Sequence, residues 1–182
     1  KLIKKHQEFA YVGHHNAAAA GSSSAAREMA SASALITNST DAGSNSTDAL
    51  TEAKFLVAAQ AAYVAGSEPN VFMCKPADAT IISGFTGASG RYRNFNDGTK
   101  TLVNVVDLYV SPFGEYKMVL NRHQLVTHAF LIDPSMWRQT VLRPISRTLL
   151  AKTGDSDKHA CVMEIGLKHM NFGDSHMITG LS

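Results

Sequence analysis

The sequence predicts an α+β fold, on three observations. Apolar residues recur at three and four positions in residues 1–12 and 51–65, which is helical spacing. Beyond residue 70, short runs rich in Val, Phe, Tyr and Ile alternate with Gly, Pro, Asn and Asp, which is strand-and-turn chemistry. The helices come first and the strands follow, an order that favours α+β over a doubly wound α/β sheet. With 182 residues, 45% of them hydrophobic and 18% charged, the chain suits one domain, or one domain with a second lobe.

Along the chain, residues 1–12 place Leu2 and Phe9 two helical turns apart, with Lys1, Lys4, Lys5 and Glu8 between and around them. This is an amphipathic helix that Gly13 can end. At twelve residues it needs a packing partner. Residues 13–48 differ in kind: 27 of these 36 residues are Ala, Gly, Ser, Thr or Asn. Such a tract reads as a flexible connection, or as an extended segment ordered only against neighbouring chains.

A second helix follows, capped by Thr51 or Asp48, with Phe55, Leu56, Ala59, Ala62 and Tyr63 inward. Gly66 closes it and Pro69 prevents its return. Residues 71–74 are a short buried strand with Cys74 in the core, and Pro76 opens a second short helix with Ile81, Ile82 and Phe85 inward. Residues 84–99 are loop-like. Residues 102–110 and 116–120 form a hairpin about the turn 111–114. Residues 129–132 and 137–142 are strands, 153–157 a polar turn, 161–169 a strand with one wetter face, and 176–181 the closing segment. The chain opens on Lys1 and enters a helix at once, so it reads as a fragment of a longer product.

Composition excludes several function classes. A formal net charge of +2 gives no electrostatic reason for an obligate nucleic-acid or membrane partner. Two cysteines exclude a disulfide-dense scaffold. No apolar run approaches 18 residues and no signal peptide is visible, so no membrane partner is expected. Neither a phosphate-binding loop nor a dinucleotide fingerprint is present: Gly84, Gly87 and Gly90 lack a following Lys-Ser or Lys-Thr.

Cys161 with His159 is the nearest approach to a nucleophile and base, but no third group orients them, and a buried structural thiol is the commoner state. Eight histidines raise the question of a metal. His14 and His15 diverge on any regular backbone, while His169 and His176 flank a turn and can approach across a hairpin. No spacing of a known metal site accompanies them, and none is expected. Asp155 and Asp157 fall in a turn, where Asp bonds its own backbone. Arg91-Tyr92-Arg93-Asn94-Phe95 mixes basic and aromatic side chains, the chemistry of a monomeric module that contacts single-stranded nucleic acid. A solvated loop making protein contacts is the commoner state. These readings expect no catalytic site and no cofactor, and a role in contacts with other protein.

The last third carries a resemblance. Residues 149–158, Leu-Leu-Ala-Lys-Thr-Gly-Asp-Ser-Asp-Lys, then Val162-Met163-Glu164-Ile165-Gly166-Leu167 and Asn171, resemble the major head (capsid) proteins of tailed bacteriophages. Residues 106–114, Val-Asp-Leu-Tyr-Val-Ser-Pro-Phe-Gly, look like another stretch of that family. Arg27-Glu28-Met29, Thr37-Asn38 and Thr51-Glu52-Ala53 also fall in family order. The resemblance implies the Hong Kong 97-type capsid fold, with a spine helix and long strands in a peripheral domain and a compact axial domain.

Mapped by order, residues 1–48 look like the end of the spine helix and a low-complexity peripheral connection. Residues 49–134 look like the axial domain, 135–172 the returning peripheral strands, and 173–182 a tail rejoining the axial domain. The family's amino-terminal arm and extended loop have no counterpart here. The implied function is structural: hexamers and pentamers of copies of this chain, in an icosahedral shell that encloses DNA. A scaffold or decoration protein and non-specific contact with packaged DNA are further implied partners. The implied location is the virion, after synthesis in the bacterial host cytoplasm. Residues 91–182 hold 11 basic and 8 acidic side chains. Of the basic ones Arg91, Arg93, Arg138, Arg143, Arg147 and Lys152 are the expected inter-subunit contacts.

Overall fold

The computed structural model describes residues 2–43, 48–85, 108–152 and 154–182. Helix α1, Leu2–Val12, ends where the amide of Gly13 bonds the Phe9 carbonyl at 2.8 Å. Helix α2, Ala32–Leu35, is one turn long. Strand β1 is Asn38–Asp41. Helix α3, Glu52–Val64, is capped by Thr51, whose hydroxyl accepts from the Lys54 amide at 3.3 Å. Strand β2, Val71–Cys74, leads through a 3-10 turn into α4, Ala79–Ser83. Strands β3, Leu108–Ser111, and β4, Gly114–Leu120, form a hairpin; residues 102–107 of its expected first strand lie outside the described residues. Strands β5, Ala129–Ile132, β6, Trp137–Leu149, β7, His159–His169, and β8, His176–Thr179, complete the chain.

These elements make an α+β molecule with two sheets. The first has six strands in the order β1-β8-β5-β2-β4-β3, with β1/β8 and β2/β4 parallel and the other pairs antiparallel. Alternation along its strands sends side chains to two layers. On one side Phe72, Cys74, Tyr109, Tyr116, Leu131 and Ile178 pack against α3 and α4 around Phe55. The Phe55 ring meets Phe72, Tyr109 and Tyr116 edge-to-face at 4.9, 5.2 and 5.2 Å. On the other side Phe130 and Met177 pack with Ile36, Val12, Met73 and Trp137. Helix α1 reaches this second layer at its carboxyl end, where the Leu125 amide bonds the Val12 carbonyl at 2.9 Å.

The second sheet is a two-stranded ribbon, β6 against β7. Pairing runs from Trp137↔His169 to Leu149↔His159, with register shifts between Val141 and Arg143 and between Arg143 and Ser146. Each shift places one extra residue on β6, and the second accommodates Pro144, which cannot donate to a regular ladder. The ribbon leaves the six-stranded sheet from the ends of two inner strands, where β5 ends and β8 begins, since Leu131 pairs with His176.

The low-complexity tract is more ordered than its composition predicts. Its β1 is an edge strand of the main sheet, paired with β8. Residues 14–31 form a strap with pinned feet. The amide of Ser31 bonds the Asn16 carbonyl at 3.0 Å, and Ser33 donates to the His14 carbonyl at 2.8 Å. Ser31 and Ser33 are buried, so small polar residues serve here as packing units with their hydroxyls satisfied.

Candidate assembly surface

The ribbon, α1 and the strap enclose an open groove of about 1060 Å³. Ile3 and Ala10 of α1, Met29 of the strap, Val141 of β6, and Met163 and Ile165 of β7 give it apolar walls. One carboxylate ties two of these walls together. Glu164 Oε2 lies 3.7 Å from the Arg27 guanidinium of the strap and 3.6 Å from Nε of Arg143, its register partner on β6. Both arginines are largely exposed, so solvent screens these pairs and they position the strap more than they stabilise the fold.

The rest of the ribbon is open. Leu142 is 69% exposed and Ile145 61%, and Val141, Leu149, Leu150 and Val162 are also exposed. An isolated two-stranded hairpin is marginally stable in water, and exposed apolar side chains in this number make the ribbon a candidate contact surface.

The basic residues singled out from sequence are spread along this ribbon. Arg138 and Arg147 stand on β6 with Arg143, opposite Lys168 and Cys161. Arg138 donates to the Trp137 carbonyl at 3.2 Å. Lys152, past the end of β6, pairs with Asp157 at 2.9 Å. Arg91 and Arg93 lie outside the described residues, as does the whole Arg91–Phe95 loop.

Several other expectations change. Cys161 is exposed on the ribbon and is no buried structural thiol, whereas Cys74 is buried as expected and its thiol is pushed up to about 12, first by burial and then by Asp78. Tyr63 is 61% exposed rather than inward, against Phe113 at a ring distance of 6.1 Å. His169 and His176 do not meet across a hairpin, because β7 and β8 belong to different sheets. His169 bonds Ser175, and His176 bonds Thr40 Oγ1 at 2.7 Å. His14 and His15 do diverge: His14 packs on Phe9 and His15 on His128. Among the described residues no cluster of three or more His, Cys, Asp or Glu has metal-binding geometry. No helix there is long and apolar enough to cross a membrane.

The root of the ribbon holds groups that sequence reasoning missed. Trp137 and His169, the first register pair, stack at 4.1 Å with ring planes 21° apart. The Trp137 indole donates to Ser175 Oγ at 3.3 Å, and Ser175 Oγ lies 3.1 Å from His169 Nε2. Burial holds the His169 imidazole below its ordinary pKa, with Asp174 pulling the other way. The Asp174 carboxyl is raised by burial and by Asp133, with His169 opposing and Glu68 adding. The aromatic at 137 and the histidine at 169 were visible as residues, but only the register brings them together.

Comparison with known proteins gives the chain a family. The whole chain, residues 1–182, matches the family model described as SU10 major capsid protein. The chain belongs to the SU10 major capsid protein family. It is also similar to the major capsid protein of Escherichia phage Phieco32, 35% identical over 111 residues. That match covers 60% of this chain and 32% of the relative, so the chain aligns with about a third of the relative's length.

Proposed function

We propose that this protein is a structural subunit of a tailed-phage head with the Hong Kong 97-type fold. Its copies associate into hexamers and pentamers of an icosahedral shell that encloses DNA. Residues 49–134 and 173–182 form the axial part, which β1 of residues 1–48 joins as an edge strand; the rest of residues 1–48 and residues 135–172 form the peripheral part. Family membership supports the head-protein reading. The single observation that carries the contact surface is the ribbon β6–β7, long, two-stranded and apolar on exposed positions.

A shell is held by many repeated interfaces, each burying on the order of 1,000 Å² or more. Multivalency makes their sum strong, with no requirement for a reaction centre. In this reading Arg138, Arg143, Arg147 and Lys152, with Arg91 and Arg93, make inter-subunit contacts at the interface rim. A scaffold or decoration protein and packaged DNA are secondary partners. The protein is made in the bacterial host cytoplasm and ends in the virion.

The test is a double variant, Leu142→Ser with Ile145→Ser, expressed from the complete reading frame. Both side chains are exposed, so the denaturation midpoint of the subunit should stay within error. Sedimentation and negative-stain microscopy should show loss of capsomers and shells. Undiminished assembly would remove the ribbon from the interface.

A further inference from the structure

We propose that His169 is a proton-operated latch at the root of the ribbon, setting how firmly β6–β7 is held against the six-stranded sheet. The proposal rests on the reading of the ribbon as the inter-subunit element, and adds its regulation. An indole N–H only donates, so Ser175 Oγ accepts from Trp137 Nε1. Among the two tautomers of His169, the one that satisfies more groups lets the Ser175 hydroxyl donate to Nε2 and keeps the imidazole proton on Nδ1. Nδ1 is buried with no partner, and Asp174 Oδ2 is a second buried atom with none. The Ser175 side chain is fully buried and His169 is 5% exposed. One short relay, Trp137 to Ser175 to His169, thus joins the first pair of the ribbon to the turn that enters β8, and its last atom has nowhere to donate.

Protonation changes two things at once. Nε2 turns from acceptor to donor, so the Ser175 hydroxyl proton loses its acceptor. A positive charge also appears where water cannot reach it. The charged groups around it are few. Asp174 faces His169, and Asp133 and Glu68 face Asp174. Lys168 precedes His169 on β7, opposite Arg138 of β6. The indole face of Trp137 favours a cation, but burial remains the larger effect on this imidazole. The charge is relieved by turning Nδ1–H toward the Asp174 carboxylate. That motion pulls His169 off Trp137 and loosens the pair from which the ribbon starts. The Met170 amide, bonded to the Met136 carbonyl at 2.9 Å, is the next link to give.

The sequence contains one tryptophan, Trp137, so the latch carries its own reporter. Indole emission responds to the charge and the distance of an imidazole stacked on it. Emission of the unassembled subunit is followed from pH 8 to pH 5, alongside amide exchange of residues 138–142 and 165–168. The expected result is a change in emission with a midpoint below 6.5, as the His169 ring leaves the indole, and faster ribbon exchange over the same range, while exchange in β2 and β5 stays slow. His169→Gln should abolish both changes. Asp174→Asn keeps the histidine but removes the carboxylate that favours its charged form, so the midpoint should move to lower pH. A transition that persists in His169→Gln overturns the proposal. So does His169 protonation with ribbon exchange unchanged. These readouts need no assembly, so the latch can fail while the capsid reading stands, and the reverse.

Discussion

At the scale of single residues, Phe55 organises the main core. Three rings meet its edge or face within 5.2 Å, and its own side chain is fully buried. Truncation removes those contacts and leaves a cavity that aromatic neighbours fill poorly. Phe55→Ala should therefore cost about 3–5 kcal/mol of unfolding free energy, read from denaturant melts of the unassembled subunit. A cost under about 1 kcal/mol would mean that the layer under α3 collapses around the gap. This residue was legible in the sequence, because helical spacing from Phe55 to Ala59 and Ala62 marks an inward stripe. Tyr63 was misread from the same stripe because it sits at its margin, near the last turn, where the side chain emerges toward Phe113. Cys161 was misread because a thiol is usually buried, while an unpartnered ribbon leaves its residues in solvent. Gly180 shows a different residue-scale constraint. It sits at φ +74, and a Cβ there would come within 2.5 Å of Asp41 Oδ1 and 2.8 Å of the Gly43 carbonyl oxygen, so both conformation and space require glycine.

At the scale of elements, legibility followed apolar patterning. Helix α3 and strands β2 and β5 were readable to within a residue or two because α3 repeats its apolar residues at helical spacing, and β2 and β5 are short apolar runs bounded by turn residues. Strand β1 was not readable. Asn-Ser-Thr-Asp has no apolar alternation, and its place in the sheet comes from pairing with β8 and from Asn38 Nδ2 donating to the Gly173 carbonyl at 2.9 Å. Strand β6 was predicted to stop at residue 142, since Pro144 interrupts a ladder; the bulge around it lets the strand run on to Leu149. The strap was read as a connection because no sequence rule pairs Arg27 with Glu164 over such a separation. That pairing predicts a specific outcome. Glu164→Gln removes the charge that holds both Arg27 and Arg143. Its effect on global stability should stay below about 1 kcal/mol, since both arginines are well solvated. Limited proteolysis of residues 20–28 should nevertheless quicken severalfold. Unchanged cleavage would show that the backbone bridge between Ala19 and Glu28 holds the strap unaided.

At the scale of the whole molecule, buried histidines set the direction of the pH dependence. His128, His169 and His176 are all held below the ordinary value of 6.5: by burial in each case, with His15 adding at His128 and Asp174 opposing at His169. A histidine whose folded pKa is lowered binds its proton better in the unfolded chain. Its contribution to stability is present above pH 6.5 and is lost as pH falls through the folded pKa. Asp78 and Asp174 act in the opposite sense. Burial raises both, against the pull of Lys75 on Asp78, so each favours the protonated folded state, and that contribution is lost as pH rises through its folded pKa. The carboxylates start from 3.8 and the histidines from 6.5, so just below pH 6.5 the histidines dominate.

Unfolding free energy should therefore fall between pH 7 and pH 5.5, with each histidine adding a slope of at most about 1.4 kcal/mol per pH unit. Denaturant melts at half-unit pH intervals measure it. His176→Gln should flatten the curve, since His176 is one of the three buried rings and bonds Thr40 on β1. The same series run on assembled particles separates two effects: a subunit that loses stability uniformly, and a ribbon that lets go before the sheet does. Loss of particles at a pH where the subunit's own melt is unchanged would locate the weak point in the ribbon contact. Coincident loss would locate it in the buried histidines of the main sheet.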